Sequence, residues 1–207
     1  MSDSPAPPPS PKHQQILDAA RALFMAEGYG KVSMDAVARR AQVSKATLYA
    51  YFPSKDLLFA TIVGRACQID AMDAGNFPEH VPDIGAALRQ IGVRLLRFLL
   101  RPNTMAIYRV VVGESARFPE LGEAFMAAGP EAFRDRFAMW LSAQTAAGVL
   151  NISNADIAAE QFGAMLRPLR FLRATLGLPE AAEDDVIAIV DDAVETFLSR
   201  YGVKPSA

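Results

Sequence analysis

Apolar residues recur at helical spacing almost from the start of the chain. Ile16, Ala19, Ala20, Leu23 and Phe24 fall at i, i+3, i+4, i+7 and i+8, which is one face of an α-helix. Gly28 is placed to end that helix in the left-handed conformation that other residues resist. Ser33 then offers an N-cap oxygen, Asp35 sets an acid in the first turn, and Met34, Val37, Ala38 and Ala41 repeat the spacing. Ser44 opens a further short helix that runs to about Tyr51. Pro53 and Ser54 interrupt, and Ser54 caps a longer helix starting at Lys55 and Asp56. Beyond residue 75, proline, glycine and asparagine breaks delimit helices near 83–101, 103–117, 119–128, 130–147, 154–176 and 183–201. Two-residue alternation bounded by hairpin turns is missing, so the pattern predicts an all-α fold.

Composition narrows this reading. The chain has 207 residues, 51% hydrophobic and 21% charged, enough apolar material for a core and too much for a disordered chain. Cys67 is the only cysteine, which excludes a disulfide within the chain. The apolar stretch at 81–100 is broken by Asp83, Arg89, Arg94 and Arg97 and is no spanning helix. Residues 1–11, proline-rich, read as a flexible arm without the basic start and apolar stretch of a secretory signal; a cytoplasmic protein is expected. The net charge of −2 hides an asymmetry. Residues 1–65 carry eight Lys/Arg against five Asp/Glu, while the rest carries 13 against 18. A basic first third on an acidic body suits a polyanion that meets that third alone.

The stretch 33–52, SMDAVARRAQVSKATLYAYF, pairs two short helices through a tight turn at 41–43, a helix-turn-helix arrangement. Ala38 sits where the helices cross, Val43 and Leu48 plug the angle between them, and Phe52 anchors the end of the second. Burying Leu48 and Phe52 turns Ser44, Lys45, Ala46, Thr47, Tyr49 and Tyr51 outward. Lys45 can reach guanine acceptors or phosphate, the hydroxyls can bond phosphate oxygens, and Ala46 lets the helix approach a thymine methyl. Ser33 adds a hydroxyl at a helix N-terminus, and Lys55 a charge that can neutralise phosphate. Two helices with a serine cap and an alanine crossing also occur in plain bundles. The two exposed tyrosines beside Lys45 favour DNA binding, because bare aromatics on a surface helix otherwise cost solubility.

The motifs ILDAARALFMAEGY and VSMDAVARRAQVSKATLYAYFPSKDLL resemble the DNA-binding domain of the TetR family of bacterial transcriptional regulators, over 16–58. The resemblance implies DNA contacts at Ser33, Ser44, Lys45, Ala46, Thr47, Tyr49, Tyr51 and Lys55. Gln42 departs from it where the family often has glycine, so a turn needing positive φ would be strained there. The segment 108–133 resembles the AefR-like repressors. The implied organisation is an arm at 1–11, a DNA-binding domain at 12–58, a helical ligand-binding and dimerisation domain at 59–201 and a tail at 202–207.

An inducer pocket in that body would draw on Cys67, Leu95, Phe98, Met105, Tyr108, Val112, Phe125, Phe137, Trp140 and Met165, each of which also suits an ordinary core. Arg94, Arg97 and Arg101 form a basic stripe that reads as a solvated face or as a site for an anionic effector. Cys67 reads as a small buried hydrophobe or as an oxidant sensor. His13 and His80 lack the spaced partners of a metal site, and no cofactor is expected. The helices near 154–176 and 183–201 are the expected homodimer surface. There Arg167, Arg170 and Arg173 would meet Asp191, Asp192 and Glu195, and Pro168 would bend the first helix. Two heads on a pseudo-palindromic operator supply affinity that one short helix lacks. The sequence thus points to a homodimeric regulator, a repressor released from double-stranded DNA by a small, mainly apolar ligand. An interaction module without DNA binding is the alternative. An enzyme finds no paired carboxylates, activated nucleophile or ligand set to support it.

Overall fold

The structure, a computed structural model, describes residues 10–74, 77–78, 81–167, 169–178 and 183–203. Among these, eleven α-helices run in order: α1 Pro11–Glu27, α2 Met34–Arg40, α3 Lys45–Tyr51, α4 Lys55–Ala74, α5 Ile84–Leu100, α6 Pro102–Glu114, α7 Pro119–Ala128, α8 Pro130–Ala146, α9 Ala155–Met165, α10 Leu169–Thr175 and α11 Glu183–Tyr201. The fold is all-α; an isolated bridge between Leu150 and Gly202 is the extended pairing among the described residues. Side chains supply the helix starts. Ser10, Ser33, Ser44, Asp83 and Asn154 each accept a backbone N–H from the first turn of their helix. Ser54 does the same for Leu57 at 3.1 Å.

The chain divides into two compact units. The first comprises residues up to Arg65 together with Val110–Phe125; the second comprises Ala66–Arg109 and the chain from Met126 on. In the first, Ile16, Ala20, Phe24, Tyr29, Leu48, Phe52, Leu58 and Phe59 are buried, and the rings of Phe24, Tyr29 and Phe59 meet edge to face or tilted at 5.3–5.8 Å. In the second, α11 packs on α5 and α9, and α8 on α9. Leu88, Ile91, Phe137, Leu141, Phe162, Val190 and Phe197 fill the space between them. Asn151 N–H donates to Tyr201 O at 2.8 Å, and the Tyr201 hydroxyl donates to Gln161 at 2.6 Å, tying down the end of α11.

Several expectations change. Helix α1 takes in Pro11, with Ser10 as its cap, because proline's fixed φ and missing N–H cost nothing in a first turn. Helix α6 stops at Glu114, and 115–117 form a turn into Phe118, whose place before Pro119 disfavours helix. The single helix expected near 154–176 is two, α9 and α10. Arg167 precedes a proline and cannot readily keep helical angles. Pro168 itself, the side chains of Cys67 and Arg170, and His80 lie outside the described residues.

The apolar positions of α11 (Val186, Val190, Ala193, Val194 and Phe197) are buried within their own unit, as are Phe162 and Leu166. They close this core, while Ile187, Ile189 and Leu198 of α11 are only partly buried. Within the chain, Asp191 pairs with Arg89 of α5 at 2.5 Å. Of the pocket candidates, Val112 is 55% exposed and therefore faces outward. Val112 and Phe125 belong to the first unit. Leu95, Met105, Phe137 and Trp140 are buried, Phe98, Tyr108, Phe125 and Met165 half-buried. Phe137 and Trp140 stack at 5.7 Å with Phe77 tilted against both, and the Trp140 indole donates to Pro78 O at 2.9 Å.

Candidate nucleic-acid interface

The interface starts from two short helices that could not hold their shape alone and are fixed by packing. Ala38 and Leu48 are buried at the crossing of α2 and α3, Phe52 is buried just past α3, and Val43 is half-buried between the helices. The turn closes through Val43 N–H to Ala38 O and Gln42 N–H to Arg39 O, both at 3.1 Å. Gln42 has φ 51°, the positive value that the resemblance implied for this turn.

With Leu48 and Phe52 inside, the opposite face of α3 meets solvent. Tyr49 is 47% exposed and Tyr51 38%; Ser33, Ser44, Lys45 and Ala46 are exposed, and Thr47 is half-buried. The polar groups on this face are already engaged with one another. Ser44 Oγ accepts from Thr47 N–H at 3.0 Å and lies 2.8 Å from Thr47 Oγ1. Ser33 accepts from Ala36 N–H at 3.1 Å. Lys45 Nζ pairs with Asp35 at 2.5 Å in the open, where such a pair contributes about 0–1 kcal/mol and yields readily to a phosphate.

Tyr51 leans away from the centre of this face. Its hydroxyl shares a 2.9 Å hydrogen bond with Ser10 Oγ, and its ring lies edge-on to His13 at 5.8 Å. His13, which sequence reasoning set aside, packs its ring 5.0 Å from that of Phe52, and its Nδ1 is buried without a partner. Burial, and then the charge of Arg65, pull its pKa below the ordinary value.

Lys55, expected at phosphate, is held by the chain's own carbonyls in this DNA-free structure. Its ammonium turns inward, donating to Tyr29 O at 3.0 Å and Val32 O at 3.2 Å, and sits 4.1 Å from the centre of the Tyr29 ring. Burial lowers its pKa against the pull of Asp56, Glu114 and Glu120. The resemblance that pointed Lys55 at phosphate carried no information on these two carbonyls, which only the folded 29–32 loop brings to it.

No group of three or more His, Cys, Asp and Glu side chains positioned for a metal ion occurs among the described residues. Nor is any described helix long and apolar enough to cross a membrane.

A buried crossing, a tight turn and an exposed polar and aromatic helix face define a helix-turn-helix protein. Residues 16–62 match the family described as bacterial regulatory proteins, tetR family, and residues 86–203 match the AefR-like transcriptional repressor, C-terminal domain. The chain belongs to the TetR family and is a DNA-binding transcriptional regulator. Among solved structures it is similar to the flavonoid-responsive regulator FrrA, with 34% identity, TM-score 0.82, and 94% of this chain and 98% of that one covered. An uncharacterised HTH-type transcriptional regulator of Mycobacterium tuberculosis is 27% identical, over 97% of this chain and 95% of its own length. The HTH-type transcriptional repressor KstR of the same species is 48% identical over 61 residues, covering 29% of this chain and 28% of KstR.

Proposed function

We propose that the protein acts in the cytoplasm as a homodimeric repressor, released from a pseudo-palindromic operator by a small, mainly apolar and aromatic ligand. The observation that carries this reading is the face of α3, where Lys45 and Tyr49 stand exposed while Leu48 and Phe52 anchor the helix from behind. In the bound state Lys45 exchanges Asp35 for phosphate or a guanine edge, and Tyr49 and the hydroxyls of Ser44 and Thr47 meet the backbone. Repression is supported by the likeness of the DNA-binding region to KstR.

Dimerisation is supported by apolar side chains that the monomer leaves in water: Ile157 on α9, and Leu169, Leu172 and Leu176 on and just after α10 are each at least half exposed. An unshielded row of this kind favours burial against a second copy. The ligand class is supported by FrrA's flavonoid response and by the aromatic group Phe77, Phe133, Phe137 and Trp140 in the second unit. Because these rings pack on one another, a ligand that inserts among them must displace them. Its preference for the displaced state is the free energy that shifts the two heads off the fixed groove spacing of DNA; equal affinity for both states would shift nothing.

The test is the double variant Lys45→Ala/Tyr49→Ala. It is expected to lose salt-sensitive binding to the DNA upstream of its own gene while keeping the wild-type mass in solution. Unchanged affinity in a folded double variant would reject this face.

A further inference from the structure

The socket that holds Lys55 is built from two stretches of chain more than fifty residues apart, and both belong to the first unit. We propose that Lys55 is a positioning residue for operator binding, and that Glu114 and Phe118 complete its socket, making the 114–118 stretch a working part of the DNA-reading unit. The inference rests on the reading of α3 as the surface that meets DNA.

Two independent features place the stretch there. The first is a set of contacts around the ammonium. Lys55 Nζ bonds the carbonyls of Tyr29 and Val32 and lies 4.1 Å from the Tyr29 ring centre and 5.5 Å from that of Phe118. Phe118 meets Tyr29 edge to face at 5.4 Å, and the Tyr29 hydroxyl donates to Asp56. Glu114 accepts from Gly30 N–H at 3.5 Å. The second is the pair of glycines on the facing loop. A Cβ on Gly28 would lie 2.8 Å from Glu114 Oε1, and one on Gly30 would lie 2.9 Å from Phe118 Cε2. Gly28 also holds φ 84° with ψ 154°, a combination that belongs essentially to glycine. Two glycines in three residues therefore leave room for the same two side chains.

The consequence for DNA runs through Val32. A half-buried ammonium keeps its charge only if carbonyls, ring faces and carboxylates replace the lost water. While they do, Lys55 pins the loop one residue before Ser33, the cap of α2. Helix α2 in turn carries Asp35, the partner of Lys45, and packs Ala38 at the crossing with α3. Without Glu114 or Phe118 the ammonium turns to solvent, the loop is released and α3 loses its fixed presentation.

The probe is a duplex selected from a random-sequence pool by the full wild-type chain, with affinity read by fluorescence anisotropy across a salt series. Lys55→Met, Phe118→Leu and Glu114→Gln are each expected to weaken binding about tenfold. The salt slope stays that of the wild type, because no phosphate contact is lost. Lys55→Met/Phe118→Leu should bind no more weakly than Lys55→Met alone, since both act through one socket. Phe118→Tyr, which keeps the ring, should bind like the wild type. A Lys55→Met slope reduced by about 0.9 would make Lys55 a phosphate ligand and overturn the proposal. Additive losses, or wild-type affinity in Phe118→Leu, would overturn it equally. Should Lys55→Met fail to fold, Glu114→Gln and the Leu and Tyr variants at 118 decide the matter by affinity and slope alone. Wild-type protein that selects no duplex in a salt-sensitive way would overturn the DNA-binding reading, and this inference with it.

Discussion

At the scale of single residues, Gln42 shows how the turn of the DNA-binding motif is held. Its φ of 51° brings Cβ toward the following carbonyl, a clash of about 1–2 kcal/mol for a residue other than glycine. Its N–H is nevertheless bonded to Arg39 O, and the packed helices on either side enforce the conformation. Gln42→Gly removes the clash but gives the unfolded chain more freedom, at about 0.5–1 kcal/mol. The variant should therefore be more stable by about 0.5 kcal/mol, seen as a raised denaturant midpoint at unchanged slope, with DNA affinity unaffected. A lowered midpoint would show that the turn carries no strain. The need for positive φ at this position was implied by the resemblance, since the family often carries glycine there. Lys55 was not legible in the same way, because its partners are main-chain carbonyls, which every residue carries and no sequence pattern marks.

At the scale of elements, the first turn of α1 braces the far end of α3. Ser10 caps α1 and bonds Tyr51, and His13 lies against Tyr51 and Phe52. The His13 ring sits at a helix N-terminus, near Arg65 and with Nδ1 buried, so each surrounding feature disfavours the cation. A folded pKa below the ordinary 6.5 means that the unfolded chain binds the proton more readily. The associated stability is therefore present in full above pH 6.5 and is lost as the pH falls through the lower folded value. Melting temperatures between pH 7.5 and 5 should fall less in His13→Phe than in the wild type; parallel curves would show that His13 contributes nothing to the acid limb. Helix boundaries near residues 84, 102, 119 and 130 were written in caps and prolines. The split between α9 and α10 was misread as a bend, because apolar spacing continues across it while backbone geometry does not.

At the scale of the whole molecule, the division of apolar surface between core and partner is what matters. Both late helices looked equally suited to a dimer, since each repeats apolar residues at helical spacing. The structure buries one face of α11 in the core and leaves Leu169, Leu172 and Leu176 exposed at 72%, 51% and 67%. Charge placed on that row should therefore cost association and leave the fold intact. Leu169→Glu/Leu172→Glu is expected to run as a monomer in light scattering, keep its helical spectrum, and bind a single half-site only weakly. A dimer of wild-type mass would place the interface elsewhere.

What the sequence determined by itself was local: helical periodicity, capping serines, the small residue at the crossing and the cation and phenols on one face of α3. Each depends on residues within a turn or two of one another, where spacing fixes geometry. Tertiary structure decided which apolar face is inside, where the Lys55 ammonium points, and that 110–125 folds with the head. Those outcomes depend on main-chain atoms and on partners distant along the chain, and spacing carries no record of either.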